Sequence, residues 1–156
     1  MARIGVFSDT HGSIDHLESF IGRLGALDSV FHLGDYARDA KPLSDRLGTG
    51  FVAVRGNCDP WSEMPLATIV EWNGNRILLL HGHTIKGTLA LYYEALAQNC
   101  NCVIYGHSHI ASIEHKQGIL IVNPGSLSIP RGGQKSSCAV LSVIPGTVTA
   151  ELLFET

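Results

Sequence analysis

Six short apolar runs recur along the chain, at residues 4–7, 30–33, 51–54, 77–80, 103–105 and 119–122. Each is about four residues long, rich in Val, Ile, Leu or Phe, and ends at Gly, Asn, Asp or His. Runs of that length and content predict buried strands. Between the first two the spacing changes. Ile14, Leu17, Phe20, Ile21 and Leu24 recur every three or four residues, predicting a helix over 13–25. Ser13 is its expected N-cap, Asp15 complements the helix dipole, and Gly25 ends it. A shorter helix is predicted over 40–47, and a third over 88–98, where Leu89, Tyr92, Tyr93 and Leu96 repeat at helical spacing. The tail alternates instead. Ala139, Leu141 and Val143, then Val148, Ala150 and Leu152, flank Pro145-Gly146 and predict a hairpin. Residues 70–72 and 77–80 flank Asn73-Gly74, a tight-turn signal, and predict another. Strands joined by helices in front and hairpins behind predict an α/β sandwich with a mixed sheet.

Composition narrows this picture. The chain has 156 residues, 45% apolar and 16% charged, against about 25% charged in an ordinary soluble domain. The length predicts one domain, 1–156, able to bury a core without a staple. Disorder is excluded by the apolar content, and no run approaches the roughly 18 residues of a membrane span. The segment 4–7 is too short for a secretory signal, so the cytoplasm is the expected location. There Cys58, Cys100, Cys102 and Cys138 would be reduced thiols. Cys100-x-Cys102 lacks a second pair at zinc spacing and reads as two small residues entering a strand. The net charge is -3 and no block of like charge occurs, so a nucleic-acid partner is not expected. Two surpluses remain, 17 Gly and 8 His.

Both surpluses fall at the ends of the apolar runs. The runs are followed in turn by Asp9-x-His11, Gly34-Asp35, Gly56-Asn57-Cys58-Asp59, His81-Gly82-His83, Gly106-His107-x-His109 and Asn123-Pro124-Gly125-Ser126. In α/β sheets, ligands bind outside the carboxyl ends of the strands. Acids and imidazoles crowded there need cations among them. Asp9, His11, Asp35, Asn57, His81, His107 and His109 are seven candidate ligands, too many for one ion with an open position. Two ions sharing a carboxylate would use them all. The set is oxygen and imidazole without thiolate, which suits Mn, Fe, Zn, Co or Ni. Gly12, Gly34, Gly56, Gly82 and Gly106 each flank a ligand. His32, inside an apolar run, reads as a hydrogen-bonded core residue. His83 reads either as a group orienting a ligand or as a loop residue. Trp61 and Trp72 are expected to pack in the core or at a sheet edge, an aromatic lining of the cleft near Asp59 being the alternative.

The ordered motifs Asp9-x-His11, Gly34-Asp35, Gly56-Asn57, His81 and Gly106-His107-x-His109 resemble those of the calcineurin-like metallophosphoesterases. Within that family the chain looks most like the small prokaryotic phosphodiesterase branch, the YfcE-like proteins. The resemblance spans residues 3 to about 131. It implies a four-layer α/β sandwich of two sheets flanked by helices. It also implies two divalent ions, Mn²⁺ first, with Fe, Ni or Zn as alternatives. By position, Asp9, His11 and His109 would hold one ion, Asn57, His81 and His107 the other, and Asp35 would bridge. The implied reaction is in-line attack of a metal-bound hydroxide on a small phosphodiester. Asn57 would also meet a phosphoryl oxygen, and Ser126 and Arg131 would either contact the substrate phosphate or form a structural turn with a solvated Arg.

Many relatives carry Gly-Asn-His-Asp/Glu, whose His is taken as the acid for the leaving oxygen. Here the motif is Gly56-Asn57-Cys58-Asp59, with Cys58 and Asp59 as candidate catalytic groups. A thiol is a poor proton donor to an alkoxide, so good leaving groups should be favoured, unless Cys58 only fills space beside the metals. Only about 20 residues separate Asp35 from Asn57, too few for a capping domain, so an open cleft is expected. The competing readings are a non-catalytic scaffold, as in a retromer subunit of this fold with an altered metal site, and a nuclease. Relatives are often dimers or larger, which makes a homo-oligomer a family expectation.

Overall fold

Strand periodicity already sorts β1 (Ala2–Phe7) into two faces. In the computed structural model, which describes residues 1–156, Ile4 and Val6 enter one core cluster and Phe7 another. The same alternation recurs in the neighbouring strands and builds four layers. The first sheet runs β10 (Thr147–Phe154), β9 (Ser137–Ile144), β1, β2 (Ser29–His32), β3 (Phe51–Ala53). β1, β2 and β3 are parallel, and the hairpin β9–β10 joins β1 antiparallel. The second sheet runs β4 (Ala67–Trp72), β5 (Asn75–Leu80), β6 (Cys102–Ile104), β8 (Ile119–Asn123), β7 (Ser112–Lys116). Its centre, β5–β6–β8, is parallel and its edges are antiparallel.

The inner faces meet in a core that includes Ile4, Val6, Phe31 and Leu33 from one sheet and Ile77, Leu79, Ile104 and Val122 from the other. Outside the first sheet, Leu17, Phe20, Leu24 and Leu43 cover Phe7 and Val30. Outside the second, Leu91, Tyr92 and Ala95 cover Leu78, Leu80 and Val103. Burying apolar area on both faces of each sheet is the main stabilising contribution. Because the central strands of each sheet are parallel, their carboxyl ends open onto one edge of the sandwich.

Both predicted hairpins form, and Asn73 and Gly74 take φ of 50° and 75° as a primed turn requires. Helix α2 (Ala40–Leu47) matches its predicted bounds, and α3 spans Thr88–Ala97. Of the repeat that signalled α3, only Tyr92 is buried. Leu89, Tyr93 and Leu96 face solvent. The predicted helix over 13–25 is broken into a 3₁₀ turn, Asp15–Ser19, and a single α-helical turn, α1 (Ile21–Leu24). Leu17 and Phe20 are three apart, which suits 3₁₀ spacing, and Gly22 weakens the continuation. Ser13 lies 3.5 Å from the Asp15 amide and makes a marginal cap. Strand β7 has no apolar run to announce it; pairing to β8 makes it a strand at an exposed edge. Cys100 and Cys102 are buried in and beside β6. No helix is long and apolar enough to cross a membrane.

His32 sits fully buried at the end of β2. The Gly34 amide donates to its Nδ1 at 3.1 Å, so Nε2 carries the proton and donates to Thr10 Oγ1 at 2.9 Å. Thr10 in turn donates to Asp39 Oδ2 at 2.6 Å, which also accepts from the Gly12 amide. Burial pushes His32 down to about 4, and it stays neutral. The core histidine expected from the sequence thus ties the Asp9–His11 loop to the start of α2.

Candidate metal centre

The loops after β1, β2, β3, β5 and β6 bring all seven candidate ligands to the open edge. Asp9 follows β1 with its side chain fully buried. Its Oδ2 accepts from Ser8 Oγ at 2.6 Å and from the His107 amide at 3.0 Å, which turns Oδ1 inward. Asp35 follows β2, and its Oδ1 accepts from the Cys58 amide at 2.9 Å. His81 follows β5, and its Nδ1 donates to the Leu33 carbonyl at 2.7 Å. His109 does the same to the Ile129 carbonyl at 2.6 Å. Each carbonyl fixes the ring's orientation and leaves Nε2 pointing into the centre. His107 Nδ1 and Asn57 Oδ1 lie 3.2 Å apart on the exposed side.

One ligand atom each from Asp9, His11, Asp35 and His109 lies within 4.8 Å of the others. His81 Nε2 is 3.4 Å from Asp35 Oδ1 and 3.7 Å from Asp9 Oδ1, and its ring is 5.2 Å from that of His107. The donors therefore run from His11 and His109, across the two carboxylates, to His81, His107 and Asn57. Asp9 Oδ1, His11 Nε2 and His81 Nε2 are buried without a hydrogen-bond partner. Buried polar atoms are rarely left unpaired. Carboxylate oxygens facing imidazole lone pairs need a positive charge between them. A divalent cation fits this donor set in charge and in chemistry.

The electrostatics agree. Burial works to raise the Asp9 carboxyl, but His109 and His81 hold it below its ordinary range. Asp35 is likewise held low against burial by His81 and the Cys58 amide. His109, its Nε2 3.2 Å from Asp9 Oδ1, is raised by that carboxylate, and His81 by Asp35 and Asp9 despite burial. His107 and His83 are lowered by burial and by His81. Two carboxylates are thus held ionised in a buried place that draws in positive charge.

Backbone strain marks the same spot. Of nine non-glycine residues with positive φ, five are Asp9, His11, Asp35, His107 and His109, and a sixth is Tyr36 beside Asp35. Such conformations cost free energy and gather at functional sites. Close approach explains two of the glycines. A Cβ on Gly56 would collide with Asp35 Oδ1, and one on Gly106 with Ser8 Oγ and Asp9 Oδ2.

The remaining candidates sit around this cluster. Asp59 is buried, with Oδ1 accepting from the Tyr36 and Ala37 amides at 2.9 and 3.1 Å and Oδ2 from the Gly56 amide at 2.9 Å. Both oxygens are bonded to backbone, so Asp59 clamps the Asp35 loop to the Asn57 loop. Ser126 is fully buried and donates to the Asp9 carbonyl at 2.8 Å. It also accepts from the Ile129 amide at 2.8 Å, so it anchors the loop behind His109 and is out of a substrate's reach. Cys58 is exposed, yet partial loss of water around its thiol and the Asp35 charge push it up. Arg131 is exposed, and its amide donates to the His109 carbonyl at 3.1 Å. His83 is half-buried, its ring 5.4 Å from that of His81, with Nδ1 unpartnered. Trp72 packs against the central core, whereas Trp61 is 95% exposed, not packed. Ser8, Tyr36 and the Leu33 and Ile129 carbonyls were not singled out. Their parts depend on backbone geometry, and only the position of Ser8 before Asp9 offered a sequence signal.

Residues 2–145 match the model of the calcineurin-like phosphoesterase superfamily domain. The chain belongs to this superfamily. Among its relatives is the phosphodiesterase YfcE of Escherichia coli, 33% identical over 172 aligned positions that cover 90% of this chain and 88% of YfcE. A predicted phosphoesterase from Streptococcus pneumoniae superposes with a TM-score of 0.79 at 32% identity, covering 99% of this phosphoesterase chain and 91% of that one. Vps29 of Entamoeba histolytica, solved with Zn²⁺, superposes with a TM-score of 0.79 at 20% identity, each chain covered to 99%. That last likeness concerns the fold. The four-layer sandwich and the YfcE-like branch expected from the motifs are both found.

Proposed function

We propose that the protein is a metal-dependent phosphodiesterase for small diesters, with two divalent ions at the centre and residues 1–156 working as one unit. The observation that carries this reading is the convergence of unpartnered, buried Asp9 Oδ1, His11 Nε2 and His81 Nε2 where the strands end. Asp9, His11 and His109 would hold one ion, Asn57, His81 and His107 the other, and Asp35 both. Divalent ions there would supply positive charge that activates water and neutralises a phosphoryl group; the donors suit Mn²⁺, with Fe, Ni or Zn also compatible.

The chain's own groups complete the site. Asn57 Nδ2 meets only the Cys58 sulfur, at 3.7 Å, so its amide is free for a phosphoryl oxygen. The exposed Arg131 guanidinium can meet phosphoryl oxygens bidentately. Cys58, held as a thiol, is a weak acid for the leaving oxygen. Leaving groups that depart unassisted are therefore favoured, aryl diesters over alkyl monoesters.

The test is hydrolysis of bis- and mono-p-nitrophenyl phosphate with Mn²⁺, Fe²⁺, Ni²⁺ or Zn²⁺, with Asp35→Ala alongside. Diester cleavage should exceed monoester cleavage and fall about a hundredfold or more in the variant. Diester cleavage absent with every ion would favour the second reading, a protein-binding platform, for which the Vps29-like fold is the supporting observation. A nuclease is disfavoured by the net charge of -3.

A further inference from the structure

Beside the metal centre lies a cavity of about 350 Å³ whose eight lining residues include Tyr36, Arg38, Cys58, Asp59, Trp61 and Met64. That volume is within the range of small-molecule sites. It adjoins the centre through three contacts. Tyr36 directly follows Asp35, the Cys58 amide binds Asp35 Oδ1, and the Tyr36 ring lies 5.5 Å from that of His11. Tyr36 is held at φ 65° by the Asp59 clamp, which fixes its ring at the cavity wall. The Arg38 guanidinium lies 4.5 Å from the Tyr36 ring centre. Trp61, 95% exposed, stands free on the same cavity. A cavity on the other side of the centre, lined by His83, Lys86 and His107, has Tyr105 but no indole and no Arg.

An indole left in water has its full stacking surface available, and a guanidinium over a phenol ring makes a flat cationic shelf. Aromatic rings and Arg in that arrangement take flat π-systems. We propose that this cavity is a subsite for a planar aromatic group, a nucleobase or an aryl ring, carried by the phosphodiester whose phosphoryl group lies at the metal centre. The direction of binding rests on the phosphodiesterase reading; the affinity for a flat ring does not.

Two measurements on the protein with Mn²⁺ added separate these. In the first, calorimetry compares AMP with ribose 5-phosphate, which share the phosphate and differ in the base. AMP should bind at least about fivefold tighter, and the difference should vanish in Trp61→Ala and largely return in Trp61→Phe. Phenyl phosphate binding as tightly as AMP would assign an aryl site, and AMP alone a nucleobase site. In the second, Trp61→Ala should raise KM for bis-p-nitrophenyl phosphate by about fivefold or more with kcat little changed, and Trp61→Phe should restore it. Equal binding of AMP and ribose 5-phosphate, or an unchanged KM in Trp61→Ala, overturns the subsite. If no diester is cleaved, the phosphodiesterase reading fails and the calorimetry alone decides the subsite.

Discussion

Replacing Asp59 with Ala removes one acceptor from three backbone amides, those of Tyr36, Ala37 and Gly56. Each amide is 2.9–3.1 Å from a carboxylate oxygen that is itself almost out of water. An orphaned buried donor costs about 1–3 kcal/mol. Three would sum to about 3–9 kcal/mol, and water entering the gap keeps the expected loss at the lower end, about 3–5 kcal/mol. Asp59→Asn keeps the oxygen that serves Tyr36 and Ala37 and turns an NH₂ toward Gly56, so about 1–2 kcal/mol should be lost. Urea unfolding of the metal-free protein, followed by tryptophan fluorescence and circular dichroism, measures both. The clamp also joins the Asp35 and Asn57 loops, so Asp59→Ala should weaken Mn²⁺ binding in the folded protein. An Ala variant within about 1 kcal/mol of the parent, with unchanged metal affinity, would refute the reasoning.

His32 gives a pH dependence. Its folded pKa, about 4, is below the ordinary 6.5, so its contribution is full above pH 6.5 and is lost as pH falls toward 4. The loss approaches about 3 kcal/mol, and the stability difference between parent and His32→Gln, followed with pH in chelator, should show it. Ser126→Ala should lower stability by about 1–3 kcal/mol and weaken metal binding through the Ile129–His109 bond; a rise in KM with unchanged stability would instead restore a substrate contact. Cys58→His should raise monoester hydrolysis, measured with p-nitrophenyl phosphate, because an imidazole near the leaving oxygen is the better acid. No gain would remove the thiol from the explanation of diester preference.

The strands were legible because the parallel centres of both sheets are buried on two faces and read as continuous apolar runs. The ligands were legible because they directly follow those runs, as Asp9 follows Phe7 and His81 follows Leu80. Elsewhere the sequence pattern was ambiguous. Leu17 and Phe20 fit a 3₁₀ turn as well as an α-helix, and Leu89, Tyr93 and Leu96 form an apolar stripe that the fold turns outward. The motifs near the centre make Asp59 a candidate catalytic group and Ser126 a phosphate contact or a turn residue. Their partners are backbone amides and a carbonyl from distant loops, which no side-chain pattern encodes. Tyr36 stands out only through its left-handed backbone angle, and exposure decides between packing and cleft lining for Trp61.

Ion stoichiometry measured alongside turnover tests the central claim most directly. Metal-free protein titrated with Mn²⁺ should bind two ions per chain, by elemental analysis after gel filtration. Hydrolysis of bis-p-nitrophenyl phosphate should keep rising until the second equivalent is bound, while Asp35→Ala should bind fewer ions and stay inactive. Saturation of activity at one ion would contradict the two-ion centre, and turnover unaffected by chelation would contradict the metal-dependent account as a whole.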